Sequence, residues 1–368
     1  MIPETSEAEY LYLHVPFCRT ICSYCDFCHT VYRSETADQW LKAAALEIEK
    51  RKINPHLKTI YIGGGTPTSL SSQQLDKLLS LLDPYRNDIE EYTVEVNPET
   101  LDECKAEILA AHGVNRISMG FQSSDRHLLK MMNRHHSMDT VRKAVEYLKK
   151  NSIVNLSLDL MYSLPSQTME QLKTSVEDAL SLHPVHLSLY SLTIEENTQF
   201  GKRGYDHLDD DTEADMYEMI CTMLEKRGFH QYEISNFSLP GYESKHNKAY
   251  WYYEDFAGIS CGASGKEKGI RYDVSKSLKE YISGSFQYDE TPLAEEDMMF
   301  ENVMMGLRLK EGMPLDVFRK RYGKSFEEAF QGKAEQLIEK QLIELTGSHV
   351  RCTDRGYEIL NSVLVELL

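Results

Sequence analysis

The stretch YLHVPFCRTICSYCDFCH, residues 12–29, places three residues between Cys18 and Cys22 and two between Cys22 and Cys25. One irregular loop with this spacing can bring three thiolates to three corners of a cubane, and cysteine thiolates are the usual ligands of iron–sulfur clusters. Three protein ligands leave one iron of a 4Fe–4S cluster free for a chelating small molecule. The spacing therefore favours a cluster that takes part in chemistry over one that only carries electrons.

Cys28 and His29 leave an alternative open. Four cysteines with a neighbouring histidine could instead surround a tetrahedral zinc ion, and the spacing alone favours iron–sulfur by only roughly two to one. Inert buried thiols are a weaker third explanation, because packing gives no reason for four of them in one short loop. The other cysteines are scattered and are expected to be small buried hydrophobes: Cys104, Cys221, Cys261 and Cys352.

Short runs of β-branched and aromatic residues alternate with longer amphipathic segments. Strands are predicted at Tyr10–Val15, Thr59–Ile62, Tyr92–Val96, Arg116–Met119, Asn155–Leu160 and His186–Leu192. Helices are predicted at Ala37–Arg51, Ser71–Leu82, Leu101–Ala111, Ser137–Lys150, Met169–Leu182 and Asp211–Arg227. This alternation indicates a parallel sheet with right-handed crossovers. Six units are too few for a complete eight-stranded barrel, so we predict an α/β fold with a partial (β/α)6 barrel of the TIM type.

Unusual residues follow the predicted strands, at the rim where barrels of this type hold their chemistry. They are the cysteine loop, GGGTP at 63–67, EVNP at 95–98, GFQ at 120–122 and DLMY at 159–162. Independent features that meet on one rim predict a single site. The glycine segment lacks the lysine of a phosphate loop, so a nucleoside triphosphate is not indicated as the ligand.

The pattern changes after about residue 290. Helices are predicted at Glu295–Arg308, Pro314–Tyr322 and Ala334–Lys340, then a hairpin at Leu342–Cys352 around Gly347 and a last helix to Leu368. This order predicts two domains: residues 1–290 form the barrel with the cofactor sites, and residues 291–368 form a small, mainly helical, winged-helix-like domain. We expect the smaller domain to be a packing module without DNA contact.

The charge balance is acidic, because 58 Asp and Glu residues against 40 Lys and Arg give a net charge of −18. Nucleic-acid binding depends on clustered positive charge, so no nucleic-acid partner is expected. The N-terminal residues show no secretory signal, and no apolar stretch is long enough to cross a bilayer. A cytoplasmic protein is predicted, with peripheral membrane contact and homodimer formation left open.

The strings YLHVPFC at 12–18, GGGTP and EVNP, in this order with the three cysteines, resemble a known group of radical-SAM proteins. That group contains oxygen-independent coproporphyrinogen dehydrogenase and the HemW heme chaperones. The resemblance runs from about Tyr10 to the C-terminus. It implies a radical-SAM partial barrel with a 4Fe–4S cluster on Cys18, Cys22 and Cys25 that binds S-adenosylmethionine (SAM), and it decides against zinc.

The resemblance also implies which residues line the SAM site. In this family the glycine-rich segment contacts the methionyl part of SAM, which gives that role to Gly64, Gly65 and Thr66. The other implied SAM contacts are Tyr12, Tyr24, Glu95, Gln122, Arg134, Asp159 and Thr193. These residue types suit the role, since carboxylates accept hydrogen bonds from hydroxyl and ammonium groups and arginine pairs with carboxylates.

The string HNKAYW at 246–251 resembles the heme-binding motif of the chaperone branch. There a histidine supplies a nitrogen to the iron, and aromatic side chains pack on the macrocycle. Without the resemblance, a polar turn before an aromatic strand would be preferred. The resemblance predicts His246 as a heme ligand. Two departures from the dehydrogenase favour the chaperone: only eleven residues precede Tyr12, and Phe27 stands where the dehydrogenase has its fourth cysteine.

The resemblance therefore implies a chaperone that binds heme and delivers it to a membrane-bound respiratory heme protein, with no catalytic residue assigned. One alternative is the oxygen-independent coproporphyrinogen III dehydrogenase, a radical-SAM enzyme of oxidative decarboxylation. A second is an iron–sulfur or zinc interaction module, against which the SAM residues count. The sequence leaves open whether SAM is cleaved, and so whether the chain is an enzyme, and it leaves open the role of Cys28.

Overall fold

The computed structural model describes residues 2–3 and 5–368. Its strands are β1 (Tyr10–Val15), β2 (Phe17–Cys18), β3 (Thr30–Val31), β4 (Thr59–Gly64), β5 (Glu91–Val96), β6 (Arg116–Gln122), β7 (Asn155–Tyr162), β8 (His186–Ser191), β9 (His230–Gln231), β10 (Asn236–Ser238), β11 (Phe256–Ile259), β12 (Ser264–Glu267), β13 (Ile270–Val274), β14 (Tyr288–Pro292), β15 (Met313–Pro314), β16 (Ile343–Leu345) and β17 (His349–Cys352).

Its helices are α1 (Ser34–Arg51), α2 (Ser72–Leu82), α3 (Glu103–Ala111), α4 (Arg126–Met131), α5 (Met138–Lys150), α6 (Met169–Leu180), α7 (Gln199–Lys202), α8 (Asp210–Glu225), α9 (Lys245–Trp251), α10 (Leu278–Ile282), α11 (Glu295–Gly306), α12 (Leu315–Tyr322), α13 (Phe326–Ala329), α14 (Lys333–Glu339), α15 (Asp354–Glu358) and α16 (Leu360–Leu367). Side-chain caps fix several starts: the Ser71 hydroxyl accepts a hydrogen bond from the Gln74 N–H before α2, as the capping-box pattern predicts.

The predicted barrel strands form a parallel sheet in the order β1-β4-β5-β6-β7-β8. Within these strands, apolar residues alternate with polar ones. In β1, for example, Leu11 and Leu13 belong to the core while Tyr12 and His14 lie on the opposite face. Because strand side chains alternate between faces, one face packs on the helices and the other lines a polar interior. The predicted α/β partial barrel is confirmed.

The described sheet is wider than the sequence predicted. Strand β11 pairs parallel to β1, and β12, β13 and β14 follow it in antiparallel order, while β10 and β9 extend the sheet beyond β8. Twelve strands result, with β9 and β14 at the two edges. The added strands contain only two to five residues each, which is too short for a clear alternation pattern.

A separate apolar cluster lies in the C-terminal part of the chain. Val303, Phe318, Phe326, Leu337 and Val350 belong to it and none is more than 1% exposed. The predicted hairpin around Gly347 forms from β16 and β17, and β15 adds a third strand. This small sheet with its surrounding helices matches the predicted winged-helix-like arrangement; the domain boundary near residue 290 stays a prediction.

None of the helices in the described part of the chain combines the length and apolar character needed to cross a bilayer.

Candidate functional site

A cavity of about 370 Å³ opens at the carboxyl ends of the barrel strands, with the cysteine loop as one wall. It brings together every residue of the predicted cluster and SAM sites except Tyr12. These residues are Cys18, Cys22, Cys25, Tyr24, Gly64, Gly65, Thr66, Glu95, Gln122, Arg134, Asp159 and Thr193. Their sequence separation exceeds 170 residues, so the parallel register of the strands is what gathers them.

Backbone contacts hold the cysteine loop over the barrel. Strand β2 pairs with β3, which closes the base of the loop. The Ser23 N–H donates to the Met132 carbonyl at 3.0 Å, and the Asn133 amide donates to the Ile21 carbonyl at 2.8 Å. The loop is therefore fixed at the end of α4 although it contains little regular structure itself.

Each of the three thiols has a different neighbour. The Thr66 hydroxyl donates to the Cys18 Sγ at 3.8 Å, and the Arg134 guanidinium donates to the Cys22 Sγ at 3.8 Å. The Cys25 Sγ lies 3.6 Å from the His29 Nδ1. Burial raises the pKa of Cys18 to about 11 and the pKa of Cys25 to about 12. Metal coordination at this site must therefore release protons.

Cys28 does not join these thiols. Its side chain lines a second cavity on the other side of the loop, and its thiol donates to the Lys276 carbonyl at 3.6 Å. Among residues 2–3 and 5–368, no three or more His, Cys, Asp or Glu side chains are grouped for a single metal ion. A 4Fe–4S cluster instead places its cysteines on different irons. The donor set of three thiols around one cavity fits such a cluster.

The Glu95 carboxylate lies at the end of β5 and accepts two hydrogen bonds. The Tyr61 hydroxyl donates to its Oε1 at 2.8 Å and the Gly64 N–H donates to its Oε2 at 3.1 Å. A Cβ at Gly63 would lie 2.6 Å from the Glu95 Oε1, so glycine is required beside this carboxylate. Burial raises the pKa of Glu95 to about 7.

Asp159 is a second carboxylate on the same wall and is half-buried. The Ser118 hydroxyl contacts its two oxygens at 3.0 and 2.9 Å. Desolvation raises the pKa of Asp159, although hydrogen bonds from serine hydroxyls and the charge of Arg116 oppose the shift. A cationic or hydroxyl-bearing ligand in the cavity would favour the ionised form further.

Arg134 supplies the positive charge of the cavity. Its Nη1 donates to the Asn97 Oδ1 at 2.8 Å and its Nη2 donates to the Gly120 carbonyl at 2.5 Å. Its Nε is buried and has no hydrogen-bond partner within the described structure. Buried donors of this kind are rare without a ligand or water. Gln122 lies at a bulge in β6 and adopts a φ of 59°, a conformation that is uncommon for residues other than glycine.

Two supporting residues were not predicted from the sequence. Tyr61 and Asn97 both line the cavity, and Asn97 also donates to the Thr66 hydroxyl at 3.0 Å, which links Thr66 to Arg134. Asn97 stands in the EVNP string, from which only Glu95 was predicted as a site residue. Tyr61 carries no signal in the sequence, because its role depends on the pairing of β4 with β5.

Tyr12 and His246 lie elsewhere. Tyr12 lines the second cavity, and its hydroxyl is hydrogen-bonded to the His14 Nδ1 at 2.9 Å. It therefore lies outside the cavity that gathers the other predicted SAM residues, and its contact with SAM stays a prediction. His246 is 1% exposed. Its Nδ1 is hydrogen-bonded to the Thr59 Oγ1 at 2.6 Å and its Nε2 to the Tyr250 hydroxyl at 2.7 Å. Burial lowers the pKa of His246 to about 3, so the ring is neutral.

His246 lies in α9, at the end of the barrel opposite the cysteine loop. Thr59 begins β4, and Glu91, which accepts hydrogen bonds from the first amides of α9, begins β5. The His246 ring lies 5.1 Å from the Tyr61 ring, and Tyr61 reaches Glu95. A series of side-chain contacts, from His246 through Tyr61 to Glu95, thus joins α9 to the wall of the cavity.

Two family models match the chain: the Radical SAM superfamily over residues 12–179, and the HemN C-terminal domain over residues 293–359. The chain is 39% identical to a heme chaperone HemW of Lactococcus lactis, over 97% of this chain and 96% of that protein. It is also 39% identical to a HemW of Bacillus subtilis, over 96% and 97%, and 32% identical to that of Escherichia coli, over 96% of each.

Among solved structures, the Escherichia coli coproporphyrinogen III oxidase HemN, described as a radical SAM enzyme, is similar to this chain with a TM-score of 0.84. The similarity covers 97% of this chain and 89% of HemN at 21% identity. At this identity the likeness establishes the shared fold alone.

Proposed function

Because this chain belongs to the family of the heme chaperone HemW, within the radical SAM superfamily, we propose that it is a heme chaperone with a 4Fe–4S cluster and a SAM site. Cys18, Cys22 and Cys25 would hold the cluster. The observation that carries the proposal is the cavity that three thiols, two half-buried carboxylates and an arginine line together. A purely structural metal would need none of those charged groups.

The cluster, when bound, supplies an open iron for the methionyl amine and carboxylate of SAM. The protein contributes the other contacts. Gly64 and Gly65 present bare backbone to the cavity, Glu95 and Asp159 accept hydrogen bonds from ribose hydroxyl or ammonium groups, and the unpartnered Nε of Arg134 is available as a donor. Gln122, Tyr24 and Thr193 complete the wall of the proposed SAM site.

Heme is the proposed cargo, because the relatives from Lactococcus lactis, Bacillus subtilis and Escherichia coli are heme chaperones. His246 stays the predicted iron ligand. In the present conformation its Nε2 is hydrogen-bonded to Tyr250, so coordination through this nitrogen requires Tyr250 to move. The proposed recipient is a membrane-bound respiratory heme protein, reached from the cytoplasm; homodimer formation stays a prediction.

Iron content tests the cluster assignment. Protein reconstituted anaerobically with iron and sulfide should hold about four irons per chain. Alanine at Cys18, Cys22 or Cys25 should abolish the iron–sulfur absorbance, because the two remaining thiolates would leave two of the four irons without a protein ligand. Cys28→Ala should retain it, and the exposed Cys104→Ala is the matched control. Zinc uptake with no iron incorporation would refute the cluster.

A paired assay separates the chaperone from the enzyme. The reconstituted protein is titrated with heme, and a parallel sample receives coproporphyrinogen III, SAM and a reductant. We expect heme binding and no decarboxylation. Turnover of coproporphyrinogen III with consumption of SAM would overturn the chaperone assignment in favour of the dehydrogenase.

A further inference from the structure

A second cavity, of about 800 Å³, lies on the other side of the cysteine loop. Asp26 and Phe27 line both cavities, so one short segment separates them. The volume falls within the range of ligand pockets, about 300–1,000 Å³. Neither the cluster nor the proposed SAM contacts use this space, apart from Tyr12.

Aromatic side chains dominate the lining of this cavity. They are Tyr12, Phe27, Tyr250, Trp251 and Phe256. Phe27 is 65% exposed, so its ring is accessible to a ligand in the cavity. The indole Nε1 of Trp251 is buried without a hydrogen-bond partner in the described structure. Aromatic rings of this kind stack on flat, extended ligands.

The cavity also contains groups that can bind a metal at the centre of such a ligand. Cys28 and Met305 supply sulfur, and His14 supplies an imidazole. Both nitrogens of His14 are engaged, with the Tyr12 hydroxyl at 2.9 Å and the Cys28 carbonyl at 2.7 Å. The Cys28 thiol makes a long hydrogen bond, 3.6 Å, to the Lys276 carbonyl.

We propose that this second cavity receives the heme macrocycle and that the Cys28 Sγ ligates its iron. The inference rests on the proposed heme cargo and deepens it, since it names the site and a ligand. Tyr250, which covers the His246 Nε2, lines the same cavity. Movement of Tyr250 would therefore open His246 toward the same ligand, and the two assignments are compatible.

The charges around the cavity limit where the heme propionates can lie. A hydrogen bond with Cys261 and the nearby charge of Lys276 lower the pKa of Cys28 to about 7, and the thiolate is the form of cysteine that binds metals. Lys276 is the basic side chain in the described lining, while Asp26, Asp273 and Asp289 add carboxylates. We therefore expect apolar contacts to hold the ring, with one propionate at Lys276 and the other in solvent.

The test is a titration of the full-length, cluster-loaded protein with hemin, read by absorbance. The wild type should show the spectrum of thiolate-ligated ferric heme. Cys28→Ala should lose that signature and bind hemin at least about tenfold more weakly, while Cys104→Ala, at an exposed position outside the cavity, should match the wild type. Hemin should also protect Cys28, but not the exposed Cys104, from iodoacetamide. Cys28→Ser, with iron content and circular dichroism measured, guards against misfolding of the alanine variant.

The outcomes separate this inference from the proposed function. A wild type that binds no hemin refutes the chaperone assignment itself. A wild type that binds hemin, with an unchanged spectrum in both Cys28 variants and no protection of Cys28, refutes the second cavity alone. A thiolate-type spectrum that persists in Cys28→Ala would by itself overturn the ligand assignment.

Discussion

Glu95 shows how one side chain is prepared for a ligand. It accepts hydrogen bonds from Tyr61 and the Gly64 N–H, yet burial still raises its pKa to about 7. Near neutral pH the ligand-free protein is therefore a mixture of protonated and ionised Glu95. A ligand that donates hydrogen bonds or carries positive charge selects the ionised form and must displace the proton.

SAM affinity should therefore depend on pH. A raised pKa means that the proton is bound below pH 7 and lost above it, so affinity should rise from about pH 5.5 to pH 7.5 and then level off, by up to tenfold per unit at the steep end. Glu95→Gln cannot ionise and should flatten the profile. Calorimetric titration across this range checks the slope; an equally steep profile in Glu95→Gln would contradict it.

Removal of either carboxylate should weaken SAM binding without loss of iron from the cluster. Glu95→Ala and Asp159→Ala each remove charge-assisted hydrogen bonds of about 1.5–3 kcal/mol, which corresponds to roughly ten- to hundredfold in affinity. Equilibrium binding and iron analysis on the same samples provide the readout. Unchanged SAM affinity in both variants would contradict the placement of the SAM site in this cavity.

The two carboxylates were predictable because each stands at the end of a predicted strand and the family resemblance implies both as SAM contacts. Tyr61 and Asn97 were not, because their roles arise from hydrogen bonds across strands. The resemblance groups Tyr12 with the SAM residues, whereas Tyr12 lines the second cavity from β1, next to β11, a strand that the sequence did not reveal. The neighbour of a side chain across a sheet is a property of pairing, which no local pattern specifies.

At the scale of elements, α9 closes the end of the barrel opposite the cysteine loop. The helix has seven residues, too few to be stable alone. Glu91 compensates, since its carboxylate accepts hydrogen bonds from the Lys245 N–H at 2.9 Å, the His246 N–H at 3.0 Å and the Ser244 hydroxyl at 3.3 Å. It also lies 4.0 Å from the buried Arg116.

Glu91→Ala should therefore destabilise the fold strongly. The change removes three hydrogen bonds and leaves the Arg116 guanidinium buried without its ion pair, a loss of about 3 kcal/mol or more. Its neighbour Glu90 is a matched control: it is half-exposed and pairs with Lys245 at 2.7 Å, so Glu90→Ala should cost less than about 1 kcal/mol. Urea unfolding measures both; similar losses in the two variants would contradict the anchoring role.

The barrel strands were predictable because each alternates apolar and polar residues over six to eight positions. Strands β9–β14 were not predictable, and the surroundings of two glycines show one physical reason. A Cβ at Gly258 would lie 2.1 Å from the Ser264 carbonyl oxygen, and one at Gly265 would lie 2.2 Å from the Tyr272 ring. Because the strands approach each other so closely, only glycine fits at these two positions. In a short run of residues, however, glycine is typical of a turn.

At the scale of the whole molecule, the C-terminal core meets the barrel at the segment that follows α9. The Arg321 guanidinium donates to the Tyr252 carbonyl at 3.3 Å and to the Glu254 carboxylate at 3.4 Å, and it also contacts the Asn302 side chain at 3.0 Å. The Tyr253 hydroxyl donates to the Glu301 carboxylate at 2.6 Å. The C-terminal part thus supports the end of α9 distant from Glu91.

Arg321→Ala should loosen this junction. We expect a loss of about 1–2 kcal/mol, because the guanidinium is partly exposed and its contacts are mixed polar ones, together with faster proteolysis near residue 252. Arg319, exposed in the same helix, serves as control. Limited proteolysis with thermal unfolding measures both effects; equal behaviour of Arg321→Ala and Arg319→Ala would exclude the junction as a stabilising contact.

The open sheet has a consequence for how the protein behaves at high concentration. An unclosed sheet offers backbone donors and acceptors at its edges, and such edges template aggregation. Strand β9 has two residues, and β14 carries Asp289, Glu290 and Pro292. The short length of β9 protects one edge from pairing with another chain. At the other edge, the charges of β14 and the missing amide hydrogen of Pro292 give the same protection. Asp289→Val combined with Pro292→Ala should therefore promote β-rich fibrils at high concentration, and thioflavin T fluorescence against the unchanged protein measures the effect.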